Sequence, residues 1–199
     1  MAIFDLRKNL IFYGAYHRDP TNVAIHMTCV PLILGTAFLF GTHTPALPLK
    51  PHALLTRLHL PLNLGTLAAA TYSTLYVLLS PNVAGVAATP LVMGLASASN
   101  YLCTRFNKTK VTAGAVALHT ISWILQFVGH GKYEGRKPAL LDNLAQALFL
   151  APLFVWYEVL FRLGFYKELH ADIMRGVEEE VARMEARKGK GAVKGKGDK

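Results

Sequence analysis

The amino-acid sequence predicts an all-α, polytopic helical membrane protein with four to five hydrophobic segments and an interfacial metal site. Composition, charge spacing and histidine content predict it. Of 199 residues, 52% are hydrophobic and 17% charged, where a soluble domain has roughly 45–50% and about 25%. Asp, Glu, Lys and Arg are absent between Asp19 and Lys50, between Arg57 and Arg105, and between Lys110 and Lys132. Eight histidines are present, and ionisable groups at membrane depth are costly enough to suggest function.

A transmembrane helix needs roughly 20 mostly apolar residues. The uncharged runs supply spans at about 22–41, 61–80, 82–103 and 111–129. Ser80-Pro81-Asn82 divides the longest run, because proline and asparagine favour turns. A fifth segment, 143–165, carries Glu158, Arg162 and a central Pro152, so a kinked or interfacial helix is the alternative to a span. These segments place the membrane-embedded catalytic unit at 1–165. Residues 166–187 read as a charged helical tail with Val177, Val181 and Met184 on one stripe. Residues 188–199 are Gly/Lys-rich, a composition that predicts disorder. The first residues, with no apolar core and no small-residue cleavage site, do not read as a signal peptide. Cys29 and Cys103 both lie in apolar segments and provide no disulfide framework.

The formal charge is +9, from 21 Lys and Arg against 12 Asp and Glu. The segment from Tyr166 onward carries only +2 of it. The remainder sits in the connections between spans, where bilayer headgroups lie. No zinc finger, RNA-binding motif or basic recognition helix accompanies it, which argues against nucleic-acid binding. The basic residues divide almost evenly between the two membrane faces, so charge alone does not set orientation.

The histidines differ in position. Tyr13 and His17 lie one helical turn apart. Pro20 then interrupts the chain, since the residue before a proline disfavours helix. Thr21 or Asn22 can cap the following helix, and His26 falls one turn inside it, on the face of Asn22. On a straight helix His17 and His26 would point apart; the break can bring them together. His130 ends the fourth span between glycines, and Glu134 follows at helical i,i+4 spacing. That spacing suits two ligands, or a ligand and its orienting partner. Three crossings separate His26 from the start of the fourth span, so His17, His26 and His130 emerge on one membrane face. His119 is eleven residues before His130, roughly 16 Å along a straight helix, too far to share an ion with it. It reads as a hydrogen-bonded membrane histidine or as part of another site. His43, His52, His59 and His170 read as solvated interface residues.

Histidine with one carboxylate suits iron(II) or zinc. HExxH, GxSxG and a glycine-rich nucleotide loop are absent, as are the dense histidine boxes of membrane di-iron desaturases. The residues alone leave three readings open: a mononuclear metal enzyme, a haem electron carrier with two histidine ligands, and a non-enzymatic lipid-binding membrane protein.

Two segments carry a resemblance. Phe12-Tyr13, Tyr16-His17, Asn22-Val23, Ile25-His26 and Pro31 form the first. Trp123 to Gly131, then Glu134 and Arg136-Lys137-Pro138-Ala139-Leu140-Leu141-Asp142-Asn143-Leu144, form the second, continued by Ala151-Pro152 and Glu158. Together they resemble the endoplasmic-reticulum 2-hydroxy fatty acid dioxygenases, fungal enzymes of phytosphingosine breakdown. The resemblance implies a multi-pass membrane enzyme of the endoplasmic reticulum that uses Fe(II) and O2 to shorten long-chain 2-hydroxy fatty acids by one carbon. It implies iron ligands at His17, His26 and His130, with His119 as the doubtful fourth, and a functional acid at Glu134. Asn22 and Tyr13 are then plausible supporting donors, and Arg136 or Lys137 could steer the substrate carboxylate.

Overall fold

The computed structural model describes residues 5–135 and 144–194, with side chains described at 5–135 and 148–186. It is all helical over these residues. Asp5 caps α1 (Leu6–Tyr16) by accepting from Lys8 N at 3.0 Å. The chain breaks at His17–Asp19 and α2 (Pro20–Gly41) begins with proline at its first position. Proline is favoured there because its missing N–H would have no helical partner. The cap is Asp19, whose carboxylate accepts from Thr21 N and Asn22 N at 2.8 and 3.2 Å. This corrects the expected cap at Thr21 or Asn22: the cap lies before the proline, and both residues are already helical.

After a connection holding the short α3 (Ala53–Arg57), Asn63 caps α4 (Leu64–Leu79) and Asn82 caps α5 (Val83–Arg105). Ser80-Pro81-Asn82 is the turn between them, as its residue types predict. Asn107 caps α6 (Lys108–Val128), which passes directly into a π-helical turn at Gly129–Glu134. Then follow α7 (Leu144–Arg162) and α8 (Lys167–Lys194). α8 continues as helix past position 188, where the sequence predicts the ordered tail to end.

Among the described residues, three helices are long and apolar enough to cross a membrane: α2, α5 and α6 with its π-turn. α7 and α8 have the length and composition together but are bent by 120°, the shape of a broken span or of a re-entrant pair. α4 is apolar but has only 16 residues, about 24 Å of helix for a hydrocarbon layer of about 30 Å. The residues at the two ends of the expected span form the Asn63 cap and the Ser80 turn.

α2 lies at the centre, against α4, α5, α6 and α7. It runs antiparallel to α6: His43 Nε2 meets Thr112 Oγ1 at 2.9 Å at one end, and Thr36 Oγ1 meets His119 Nδ1 at 2.7 Å midway. Gly41 and Gly65 let α2 and α4 touch backbone to backbone, where a Cβ would overlap the facing chain. Buried polar side chains tie the helices together. Asn63 Nδ2 donates to Asn100 Oδ1 at 2.6 Å, and the Ser80 and Tyr157 hydroxyls meet at 2.7 Å. α8 lies along α1, with Arg7 donating to Asp172 at 3.0 Å and Val177 against Gly14. The expected stripe of the tail is real: Val177 and Val181 are buried and Met184 packs on the core.

Candidate metal centre

The break between α1 and α2 and the π-turn after α6 meet at one point. His17 follows the last residue of α1, His26 lies in the second turn of α2, and His130 lies in the π-turn. All three are buried, at 7%, 2% and 3% exposure. Their ring centroids are 4.4 Å (His17–His26), 4.8 Å (His17–His130) and 4.9 Å (His26–His130) apart, edge to face. One nitrogen from each lies within 4.8 Å of the others. Rings this close leave no room for a porphyrin between any two of them.

Two of the rings are held from behind. His17 Nδ1 donates to the Tyr13 carbonyl at 2.8 Å, and His26 Nδ1 donates to the Asn22 carbonyl at 2.9 Å. These bonds fix the tautomer and leave Nε2 with a lone pair. His17 Nε2 and His130 Nδ1 are buried with no hydrogen-bond partner. Buried polar nitrogens are normally satisfied, so this group is built for something absent from the chain itself. Burial pushes the His17 imidazole well below the usual histidine range, the neighbouring His26 and His130 add to that, and the Tyr13 carbonyl opposes it. The ring is therefore neutral at pH 7, as a metal ligand must be. Three imidazoles that each offer a nitrogen to one point, two of those rings with a buried unpartnered nitrogen, fit a transition-metal ion.

Glu134 does not join this nitrogen group. Its Oε1 accepts from Arg18 N at 2.7 Å, Asp19 N at 2.9 Å and Asn22 Nδ2 at 3.0 Å. The break strands two backbone N–H groups that neither helix can satisfy, and the carboxylate gathers them at the positive end of α2. Asn22 is fully buried and links the two sides: its carbonyl holds His26 while its amide holds Glu134. Its Oδ1 abuts Gly129, where any Cβ would collide with it. Tyr13 stacks on His17, ring centroids 4.3 Å apart and planes 8° from parallel.

His119 lies away from the cluster. Trp123 Nε1 donates to its Nε2 at 3.0 Å, and its Nδ1 meets Thr36 Oγ1 at 2.7 Å. Both nitrogens are occupied by protein, the arrangement of a hydrogen-bonded membrane histidine. His43, His52 and His59 are exposed and His170 is half-buried against Phe161. Arg136 and Lys137 lie outside the described residues.

The three histidines form one end of a cavity with about 730 Å³ of empty space out to its open mouth. Its α2 wall is the stripe His26, Val30, Ile33, Leu34 and Ala37; its other walls include Tyr72, Trp123, Phe127, Leu148, Ala151 and Pro152. From His26 to Ala37 the stripe covers three turns, about 16 Å. Gln126 also lines the cavity; it belongs to the second resembling segment, which assigned it no role. The available signal was its i,i+4 spacing to His130.

Comparison with known proteins agrees with this geometry. The Mpo1-like family, described as 2-hydroxy-palmitic acid dioxygenase Mpo1-like, matches residues 3–163. The chain is 36% identical over 182 residues to the 2-hydroxy-palmitic acid dioxygenase MPO1 of Saccharomyces cerevisiae, covering 89% of this chain and 92% of that protein. No solved structure matches. All three histidines, the π-turn and the cavity lie within the matched span, and the chain belongs to the Mpo1-like family.

Proposed function

We propose that the protein is an Fe(II)-dependent dioxygenase of the endoplasmic-reticulum membrane, acting on long-chain 2-hydroxy fatty acids in phytosphingosine breakdown. The carrying observation is a cluster of three buried histidines, two of them with buried unpartnered nitrogens, at the end of an apolar cavity in a chain of the Mpo1-like family. A 2-hydroxy acid has a polar head for the metal end and an apolar tail for the α2 stripe. The balanced reaction is R–CHOH–COOH + O2 → R–COOH + CO2 + H2O. The substrate supplies all four electrons that O2 takes up, so no 2-oxoglutarate or nicotinamide is consumed.

His17, His26 and His130 would hold the iron, which supplies one-electron chemistry with O2 and a Lewis acid for the carboxylate and hydroxyl. The protein's own part is positioning. Tyr13 and Asn22 aim two of the ligands, and Glu134 closes the α1–α2 break that lets them converge. The apolar walls exclude water from the reacting carbon and align the tail. Arg136 or Lys137 would steer the substrate carboxylate toward the interface.

Purified protein loaded with Fe(II) should consume one O2 per 2-hydroxypalmitate and release pentadecanoic acid. Metal-free protein should be inactive, and zinc-loaded protein should bind metal without turnover. Turnover without metal, or no O2 uptake by the iron-loaded chain, would reject the proposal. Ala37→Phe should shorten the tail slot. The preferred substrate should then move to acids about two to four carbons shorter, measured as a kcat/KM profile over chain lengths.

A further inference from the structure

We infer that Gln126 recognises the polar head of the substrate and makes the site select a 2-hydroxy acid over an unhydroxylated one. The inference deepens the reading above and rests on it for the substrate class. Gln126 lies on α6 one turn before His130, and the two side chains line the same cavity. Most other polar lining groups are already engaged. The Tyr72 hydroxyl donates to the Leu148 carbonyl at 3.3 Å, and the Trp123 indole donates to His119. His17 and His26 each spend one nitrogen on the backbone. The Gln126 side chain has no hydrogen-bond partner among the described residues, and it is half-buried in a largely apolar wall.

A carboxamide presents an acceptor and two donors side by side. A 2-hydroxy acid presents the matching pair on adjacent carbons, a hydroxyl that donates and a carboxylate that accepts. The Gln126 oxygen takes the hydroxyl hydrogen, and its NH2 donates to the carboxylate. An unhydroxylated acid leaves that oxygen unpaired in an apolar wall. This kind of mismatch, a site group left without its partner, gives large discrimination, whereas extra methylenes give little.

The test uses the full chain in detergent, wild type beside Gln126→Leu and Gln126→Glu. Binding of 2-hydroxypalmitate and palmitate is measured by displacement of a fluorescent fatty acid. Iron content, thermal unfolding midpoint, KM and kcat are measured on the same preparations. Wild type should bind 2-hydroxypalmitate at least about 10-fold more tightly than palmitate, a difference of one hydrogen-bonded head group. Gln126→Leu should bring the two acids within about 3-fold of each other and raise KM for 2-hydroxypalmitate more than it lowers kcat, with iron content unchanged. Gln126→Glu should weaken both acids further, because its charge repels the carboxylate. If Gln126→Leu keeps the wild-type preference and KM, the inference is wrong even though turnover stands. If the preference collapses in Gln126→Leu while wild type shows no turnover, head recognition stands and the dioxygenase reading falls.

Discussion

The antiparallel pair α2 and α6 carries two histidine sites that differ in kind. At one end, His26 and His130 meet His17 with ring nitrogens unpartnered. Midway, His119 spends both nitrogens on Thr36 and Trp123. Residue type and helix pair are the same. The backbone differs. His119 sits in regular helix, where neighbours at helical spacing and on the facing helix reach its ring. His17 and His130 sit where helix fails, at a break before Pro20 and in a π-turn. There the rings are turned toward one another.

The comparison breaks if the two sites respond alike to mutation. Single changes His17→Ala, His26→Ala and His130→Ala should each abolish stoichiometric iron binding and lower kcat/KM by at least about 100-fold, more than loss of a supporting group costs. Metal analysis and O2 uptake on the same preparations check this. A single-alanine variant that keeps full metal and turnover would remove that residue from the proposed centre.

Glu134 tests whether the break or the rings make the site. Glu134→Ala leaves all three imidazoles in the chain but frees Arg18 N, Asp19 N and the Asn22 amide. Iron affinity should fall about 10- to 100-fold, the usual cost of losing an orienting partner, while Glu134→Gln, which keeps an acceptor, should fall less. Competition with a chelator of known affinity measures both. Equal loss in the two variants would show that the negative charge matters and the hydrogen bonds do not.

Much of this difference was legible in the sequence. Pro20 marked the break that lets His17 and His26 meet, and the structure brings His130 to the same point. Residue spacing did not show which partner Glu134 would find. Its i,i+4 spacing pointed to His130, yet the orphaned N–H groups at the break, over a hundred residues away in sequence, drew its carboxylate instead. The π-turn was equally hidden, since one extra residue per turn leaves no compositional mark. The same holds for α4. Its apolar run is long enough for a span, but the caps at Asn63 and Ser80 shorten it. The Val177 stripe of α8 was legible as a stripe, but its partner, Gly14 on α1, was not.

Two glycines on the α6 side sharpen the contrast between tight and open packing. A Cβ at Gly129 would meet Asn22 Oδ1, whereas a Cβ at Gly114 meets nothing within 4 Å. Gly129→Ala should destabilise by about 1–3 kcal/mol through overpacking and weaken iron binding, because Asn22 carries the His26 contact. Gly114→Ala removes backbone freedom from the unfolded chain without a clash and should raise stability by about 0.4–1 kcal/mol. Thermal unfolding in detergent, followed by circular dichroism, should move the two midpoints in opposite directions.

The smallest effect should come from His119. His119→Leu leaves the Trp123 indole N–H without its acceptor and Thr36 without the imidazole, although Thr36 Oγ1 keeps its own donation to the Leu32 carbonyl at 2.7 Å. Interhelical hydrogen bonds between membrane helices are worth about 0.6 kcal/mol on average, so the unfolding midpoint should drop slightly. Iron stoichiometry should stay at the wild-type value, because neither nitrogen of His119 faces the cluster. The turnover readout separates two roles. If the Thr36–His119–Trp123 chain only joins α2 to α6, kcat/KM for 2-hydroxypalmitate is unchanged. Trp123 also lines the cavity, so freeing its ring should instead relax selection among tail lengths while leaving kcat for the best substrate within about 3-fold, since tail contacts of this size discriminate weakly. A loss of bound iron in His119→Leu would make His119 a ligand and erase the distinction between the two sites.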